Sequence, residues 1–518
     1  MTLTQAPDTE AETTGQPSVR FTQRERRGVF LGLKWPQLIV VIAVVAIVLL
    51  VLIIDGGGVA VWTAVIGLMI IAVAVWRYHG EPVITLMAQS VRYLARAAGG
   101  QTRFRRNVWW RITTTPLPPG NPPEMIPVPE VFRHETLPGG LGDIAYVDIP
   151  ARAGGFIYNS RAGLASVTMQ VRSTAWMLRD EGKKEGTYYG FAAWISSLET
   201  MKGLTEANLR VRVDRAGTTE LTDYAAAQGA VRKTRVSDQL EQEYAELIRT
   251  EANRSMEFSN YITLTFDTRM LSTDIKDSGG GLAGLGAILT DRAQTLAIAL
   301  MSMDVTLVSW LDAPALDEMT QTALDPVMAA DRRERWGRTE RETQSRPAVM
   351  AGAETPQTIH LGHSVHRTFW VNEWPRTVVK TGFLERLFYT GESTRVLCIQ
   401  FRPVPTDKAL NDLASAQQDM QTAQNIRERW GGRTSVQHHK ERADLDRREE
   451  ELSDGFTDDR FRAFLTISAP TEAGLRRDRS ALEQAAVGCG LRVAPMWAQQ
   501  WAALVTAATA IPTEHKTK

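Results

Sequence analysis

LIVVIAVVAIVLLVLII at residues 38–54 and VAVWTAVIGLMIIAVAV at residues 59–75 are the two stretches that decide the architecture of this 518-residue chain. Each run has 17 residues and no charge, and at a helical rise of about 1.5 Å per residue it spans about 25 Å. Backbone groups inside lipid need internal hydrogen bonds, so such runs are helical there. Trp35 and Trp76 at the outer flanks suit a membrane interface. The pattern predicts two membrane spans.

Two other interpretations of these runs are weaker. A buried helix pair of a soluble protein is one, but 17-residue runs without a polar face are rare in such cores. A cleavable signal peptide is the other. It fits poorly because the first run starts late and a second run follows at once.

The charges that flank the two runs predict their orientation. Only four residues, 55–58, connect the runs, which requires an antiparallel hairpin with both ends on one side. Between residues 20 and 111 the flanks carry twelve basic residues, against three acids in the same stretch, and the connecting loop has Asp55 and no base. By the positive-inside rule, both termini and the bulk of the chain lie in the cytoplasm, with the hairpin in the cytoplasmic (inner) membrane.

A basic stretch, residues 79–114, follows the second span. Its apolar residues recur at three- and four-residue spacing from Val83 to Leu94, which indicates an amphipathic helix. We interpret it as a helix on anionic headgroups or on a partner; a plain solvated helix is the alternative. The candidate membrane-surface residues are Arg92, Arg96, Arg103, Arg105 and Arg106.

The rest of the chain predicts an α+β fold. Short strand patterns alternate with helical patterns in residues 141–404, and a strand–helix–strand–helix pattern in residues 456–512 completes the same domain. Strand–helix–strand patterns of this kind are typical of ferredoxin-like sandwiches with helices on one sheet face. The remaining segments are a disordered basic amino terminus (1–35), the hairpin (36–78), a proline-rich linker (115–140) and a projecting helical arm (405–455). For the arm, a solvated helix pair packed on its own domain is an equal alternative.

Composition limits the chemistry of the chain. Lys and Arg number 59 and so do Asp and Glu, which does not favour direct nucleic-acid binding. Two cysteines exclude a disulfide scaffold, and no P-loop motif occurs. The glycine run 279–284 matches G-x-G-x-x-G, but no strand runs straight into it, so a hinge loop is the better interpretation.

Three histidines, His360, His363 and His366, could hold zinc in principle. No cysteine lies near them, and we interpret them as surface histidines of a loop. The sequence therefore predicts no catalytic residues, no cofactor and no enzyme activity.

The order of parts resembles a family of actinobacterial membrane proteins of conjugative elements. The start RRGVFLGL at residues 26–33, the hairpin, and the block TFWVNEWPR at residues 368–376 followed by GFL at residues 382–384 carry the resemblance. The hairpin is similar to the PrgI-type membrane subunit of type IV secretion systems. The cytoplasmic part looks like the amino-terminal, non-motor domain of TrbE/CagE-class secretion ATPases.

This resemblance implies a non-catalytic inner-membrane subunit of a type IV-like, conjugative secretion or DNA-transfer system. Its implied partners are the lipid bilayer, a separate ATPase, other channel subunits and further copies in an oligomer. Aromatic and arginine side chains often anchor protein interfaces, so the candidate partner-binding residues are Trp370, Trp374 and Arg376. A pair of core tryptophans beside a turn is the alternative there. For function, the alternatives are the membrane component of a type VII secretion system and a membrane-bound enzyme.

Overall fold

The computed structural model describes most of the chain outside its amino terminus and four long internal segments, 106–129, 216–236, 331–350 and most of 405–459. The described residues are 18–19, 35–55, 58–78, 81–105, 130–137, 142–149, 154–173, 180–215, 237–254, 256–301, 303–330, 351–375, 377, 379–380, 382–404, 460–513 and parts of 410–422. Arg106, Arg376 and most of the predicted linker, helical arm and basic amino terminus lie outside them.

The two apolar runs form helices α1 (Trp35–Asp55) and α2 (Gly58–Val75). Their large apolar side chains are mostly exposed. Gln37, fully buried near the start of α1, donates to the carbonyl of Ala74 near the end of α2 at 2.7 Å, so the helices pack antiparallel. A Cβ on Gly67 would approach the Val44 side chain to 2.6 Å. Glycine at this position therefore allows the two helices to pack closely.

Of the described helices, one is long and apolar enough to cross a membrane, over Gln37–Ile54. The apolar part of α2, Val61–Val75, is shorter than that criterion requires.

The structure is a mixed α+β fold with a large antiparallel sheet. The strands are β1 (Ser18–Val19), β2 (Arg77–Tyr78), β3 (Glu81–Pro82), β4 (Arg103–Arg105), β5 (Glu130–Leu137), β6 (Gly142–Ile149), β7 (Gly154–Asn159), β8 (Leu164–Ser173), β9 (Leu204–Arg215), β10 (Met256–Asp267), β11 (Val305–Trp310), β12 (Ala351–Glu354), β13 (Ile359–Leu361), β14 (Ser364–Glu373), β15 (Val379–Lys380), β16 (Thr394–Arg402), β17 (Arg460–Ala469) and β18 (Arg492–Pro495). The remaining described helices are α3 (Val83–Ala98), α4 (Glu181–Thr200), α5 (Asp238–Arg254), α6 (Ser272–Asp277), α7 (Gly281–Met301), α8 (Ala313–Leu324), α9 (Glu385–Tyr389), α10 (Glu472–Gly488) and α11 (Gln500–Ala508).

Fourteen strands form one sheet, in the order β4-β12-β13-β14-β17-β16-β9-β10-β8-β7-β6-β5, with β11 added on β8 and β18 on β14. The same arrangement occurs twice within it. With the additional elements α5, α6 and β15 left aside, the chain order is β8-α4-β9-β10-α7-β11 in one half and β14-α9-β16-β17-α10-β18 in the other. In both halves the fourth strand pairs with the first, the first with the third and the third with the second. The second strands, β9 and β16, pair with each other and join the halves.

Helices cover both faces of this sheet. On one face α4 and α7 pack on the first half, around Trp194, Leu289 and Phe266, while α9 and α10 pack on the second. On the other face α8 and α11 share a core through Leu316 and Leu504. The helix that follows each fourth strand thus crosses to the opposite face in both halves.

Arg210 ties the junction between the halves to α11. It lies on β9 with 3% of its surface exposed. Its guanidinium donates to the carbonyls of Thr506 and Ala507, both at 3.1 Å, and to the hydroxyl of Thr263 at 2.7 Å. The positive charge therefore satisfies carbonyls at the carboxyl end of α11, where the helix dipole is negative.

Several predicted elements are confirmed and others need correction. The predicted strands of the carboxyl-terminal unit are β17 and β18, and Thr471 caps α10 by accepting from the amide of Gly474. The predicted linker 115–140 is wrong over its last part, because Glu130–Leu137 is strand β5, paired with β6. Proline density ends before β5 begins, and pairing with β6 supplies its hydrogen bonds.

Arg210→Met tests how far the junction depends on this contact. The substitution keeps the apolar length of the side chain but leaves buried carbonyls of α11 without their charged donor. Hydrogen bonds from charged groups contribute about 1.5–3 kcal/mol each, so we expect a loss of about 3 kcal/mol or more in unfolding free energy. Urea unfolding of the detergent-solubilised chain, followed by tryptophan fluorescence, measures it.

The matched control for that substitution is Arg161→Met, because Arg161 is an exposed arginine in the same half. We expect a change within about 0.5 kcal/mol for it. Equal losses for the two variants would contradict the role given to Arg210.

Candidate docking site beside the apolar helices

Glu354 is the central residue of a polar cluster that attaches the segment after the apolar helices to the sheet. It ends the short strand β12, and its side chain is 4% exposed. One carboxylate oxygen accepts from Nη1 of Arg96 on α3 at 3.1 Å. The other accepts from the amide of Trp501 in the first turn of α11 at 3.1 Å. One carboxylate thus connects α3 to the helix that crosses the junction of the two halves.

Further hydrogen bonds fix α3 at the same place. The hydroxyl of Tyr93 donates to the carbonyl of Glu354 at 2.9 Å, and the indole Nε1 of Trp497 donates to the Ser90 hydroxyl at 2.9 Å. We name Ser90, Tyr93, Arg96, Glu354 and Trp497 the α3 clamp. Burial raises the pKa of the Glu354 carboxyl above its ordinary range, while the Trp501 amide and Arg96 act in the opposite direction.

Ala498 gives the α3 clamp a strained backbone. Its φ of 58° is in the left-handed region, which non-glycine residues seldom adopt. Its amide donates to the carbonyl of Pro356 at 2.8 Å, and its carbonyl accepts from Nη2 of Arg96. The strained turn therefore directs a carbonyl at the guanidinium on α3.

The segment after α3 extends the sheet. Strand β4 pairs with β12, so that Arg103 lies opposite Ala353 and Arg105 opposite Ala351. Phe104 between them packs against the core shared by α8 and α11, while both arginines are exposed. The α3 clamp and this pairing together hold residues 90–105 against the fourteen-stranded sheet and the helices that cover it. We call this sheet and its helices the body.

The candidate membrane-surface arginines thus have different positions. Arg92, Arg103 and Arg105 are exposed, whereas the Arg96 side chain is 30% exposed and bound to Glu354 and Ala498. Arg106 lies outside the described residues.

The candidate partner-binding tryptophans lie on opposite faces of the sheet. Trp370 packs with Cys398, Phe464 and Ala507 on the α11 face. Trp374 packs into the core under α10, where the centroid of its ring lies 5.2 Å from that of Phe461 in an edge-on arrangement. Both rings are half-buried, so the structure does not bring them into one surface patch.

The three histidines also point to separate partners. His360 is 3.2 Å from Glu472, and the exposed His363 is 3.3 Å from Asp325. The prediction of a surface loop is wrong for His366, which is fully buried on β14. Period-two alternation over Ser364–Glu373 places it on the α11 face. Among the described residues no group of three possible ligands could hold a metal ion.

The glycine run is a connection between helices, as the sequence indicated. Strand β10 ends at Asp267, α6 intervenes, and Gly279, Gly280 and Gly281 have φ values of 107°, 72° and 57° before α7. A dinucleotide site needs the strand itself to enter the glycines.

One buried charged cluster contains an aspartate with a shifted pKa, but the position of the cluster indicates a structural role. Asp317 on α8 accepts from Arg133 on β5 at 2.8 and 2.9 Å and from Gln321 at 2.8 Å. Burial raises the pKa of Asp317 to about 6. The three side chains Arg133, Glu135 and Asp317 are 9%, 1% and 6% exposed, so the cluster holds β5 to α8 and is closed to a substrate.

A cleft of about 210 Å³ beside α10 is lined by arginines, including Arg476 and Arg479. These two pair with Glu472 at 3.5 Å and Glu483 at 3.1 Å. The cleft is smaller than the roughly 300–1,000 Å³ of ordinary ligand sites, and Arg476 and Arg479 are each paired with an acid.

Comparison of the chain with known families and curated proteins found no match. No protein-family model matches the chain, and no curated protein matches it either.

The sequence alone did not indicate the α3 clamp. Ser90, Tyr93 and Arg96 stand at helical spacing beside the apolar positions and could have been recognised as a second, polar face. Glu354 and Trp497 carry no such signal, since they are 143 positions apart and only the fold brings them together.

Loss of His366 is expected to change the pH dependence of stability. Its Nε2–H donates to the Leu324 carbonyl at 2.9 Å, and Nδ1 therefore accepts from the Ser468 hydroxyl at 2.7 Å. Burial lowers the pKa of His366 to about 4, while an unfolded histidine titrates near about 6.5. Its contribution is thus complete above pH about 6.5 and is lost as the pH falls towards about 4.

Measured by urea unfolding in detergent, the stability difference between the parent and His366→Gln should shrink by roughly 3 kcal/mol from neutral pH to pH about 4. Asp317 has the opposite sign. Its raised pKa lowers the stability progressively as the pH rises from 3.8 to about 6, but Asp317 is present in both proteins and its contribution cancels from the difference. His363→Gln, at an exposed position, is the control. A pH-independent difference for His366→Gln would contradict the assignment.

Proposed function

We propose that this chain is a non-catalytic, membrane-anchored scaffold of a type IV-like secretion or DNA-transfer apparatus, which positions a separate cytoplasmic ATPase. The observation that carries the proposal is that the chain returns to the same body on both sides of the apolar helices. Before α1, Ser18 and Val19 pair with Lys380 and Val379 of the body. After α2, the α3 clamp and strand β4 bind the same body.

This connectivity restricts the membrane topology. A body on one side of a bilayer requires an even number of crossings between its two attachments, which means two spans or none. The exposed side chains of α1 and α2 favour two, because burying them in lipid removes a large apolar surface from water. The buried Gln37–Ala74 hydrogen bond and the close approach at Gly67 are typical of helix pairs in membranes. The basic flanks then favour a cytoplasmic body and cytoplasmic termini.

The body suits a scaffold. We propose that its two halves are ferredoxin-like units, since each has the β-α-β-β-α-β order and the strand order expected of that fold. Joined through β9 and β16, they form one continuous sheet. The resemblance to the non-motor domain of TrbE/CagE-class ATPases, without a P-loop in this chain, supports a role in docking a motor that is a separate polypeptide.

Substituted-cysteine labelling tests the anchoring. Cys398 and Cys489 are 0% and 7% exposed, so the native thiols give little background in folded protein. Gly58→Cys, at the connection between α1 and α2, is expected to react with a membrane-impermeant maleimide added to intact cells. Arg161→Cys, on the surface of the body, is expected to react only after lysis. The reverse pattern, or recovery of the chain without membranes, would show that the topology is wrong.

Affinity purification tests the docking role. A tagged full-length chain, extracted in mild detergent from its native host, is expected to retain a P-loop ATPase in near-stoichiometric amount, identified by mass spectrometry. The tagged chain alone should not hydrolyse ATP. Recovery of the intact scaffold with its membrane partners but without any P-loop protein would reject the docking role and leave the anchoring untouched.

A further inference from the structure

We propose that α3 lies in the headgroup layer of the bilayer, with Met87, Val91 and Leu94 inserted among the acyl chains and Arg92 beside anionic headgroups. The body then hangs from this helix through the α3 clamp. The inference rests on the proposed function in one respect, since it needs α1 and α2 in the membrane.

The start of α3 is fixed to the end of α2. Only seven residues separate Val75 from Val83, and they contain the two-residue strands β2 and β3, in which Arg77 pairs with Pro82. The amide of Val83 donates to the carbonyl of Trp76 at 2.9 Å. If α2 spans the bilayer, α3 therefore begins at the level where α2 leaves it.

From Met87 onwards the helix turns three polar side chains towards the protein, and its outer side carries apolar side chains together with Arg92. The apolar side chains nearer its start, Val83, Ile84 and Leu86, are half-buried. Ser90, Tyr93 and Arg96 are taken up by the α3 clamp. The outer face of α3, defined by Met87, Val91 and Leu94, is 55%, 64% and 63% exposed. A helix at the surface of a soluble protein has the opposite arrangement, with the apolar stripe towards the core. This inversion is understandable if the outer face contacts lipid.

The positive charge of α3 favours an anionic bilayer as the surface that the outer face contacts. Residues 83–98 contain two arginines and no acidic residue, and the exposed Arg103 and Arg105 follow on β4. A basic helix with an exposed apolar stripe, placed at the end of a membrane helix, has the features of interfacial helices that bind anionic lipid.

Helix α5 is a useful contrast within the same chain. Leu240, Tyr244 and Leu247 form an equally exposed stripe there, at 55%, 48% and 56%. The α5 sequence, DQLEQEYAELIRTEANR, has five acidic residues and two arginines. An anionic surface repels such a helix, so its stripe is expected to stay in water in the reconstituted protein.

The test compares single fluorescent labels on full-length protein reconstituted into vesicles of phosphatidylcholine and phosphatidylglycerol. An environment-sensitive dye is attached at Val91→Cys, with Leu247→Cys as the matched control and Ile47→Cys on α1 as the marker of insertion. Nitroxide-labelled lipids are expected to quench the dye at 91 and at 47 several-fold more strongly than at 247. Aqueous iodide is expected to give the reverse order.

Each deviation has a distinct meaning. A dye at 91 that behaves like the one at 247, while the dye at 47 remains in lipid, overturns this inference and leaves the anchoring intact. Loss of lipid quenching at 47 overturns the proposed function itself. Arg92→Glu should reduce lipid quenching at 91 in vesicles with phosphatidylglycerol but not in phosphatidylcholine alone. An effect independent of headgroup charge, or disulfide formation between two Val91→Cys chains, would contradict the bilayer as occupant.

Discussion

The pairing of β9 with β16 is the contact on which the rest of the body depends. It joins two halves of the same β-α-β-β-α-β order edge to edge, from Arg395 opposite Val213 to Phe401 opposite Ala207. Backbone hydrogen bonds alone would leave a flexible seam between two small sheets. Helix α11 lies across this seam, and the buried Arg210 of β9 holds its carboxyl end. Displacing one half would therefore break contacts of the other.

Because the two halves are held rigidly, the α3 clamp attaches α3 to both of them. Glu354 binds α3 through Arg96 and binds α11 through the amide of Trp501. The orientation of α3 is thus transmitted through one carboxylate to the helix that holds the two halves together. With the pairing of β1 and β15, the body has two attachments to the segments that flank the apolar helices. Two attachments restrict rotation of the body about the apolar helices, which a single linker would allow, and this suits the scaffold role that we propose.

The buried histidine and aspartate and the half-buried tryptophans that could have marked a functional site have structural roles. His366 sits neutral between Ser468 and Leu324, and Asp317 is bound by Arg133 and Gln321. Trp370 and Trp374 belong to different cores. Histidines and tryptophans in a suggestive order were therefore poor guides to a site. Trp370 and Trp374 are four positions apart and would share a face in a regular strand, but the pairing of β14 with β18 shifts register between Val371 and Glu373, and Trp374 lies beyond the end of β14.

Elements with a strong local period can be predicted from the amino-acid sequence. The two apolar helices, the strands of the carboxyl-terminal unit and the capped start of α10 follow from hydrophobic runs, alternation and the Thr471 cap, all signals within a few residues. The burial of His366, strand β5 and the α3 clamp were decided by tertiary structure alone. Each depends on partners far away in the chain, such as Trp501 for Glu354 and Ser468 for His366. Local periodicity states which face of a helix is apolar, and only the assembled fold decides that the polar face of α3 is the one turned towards the protein.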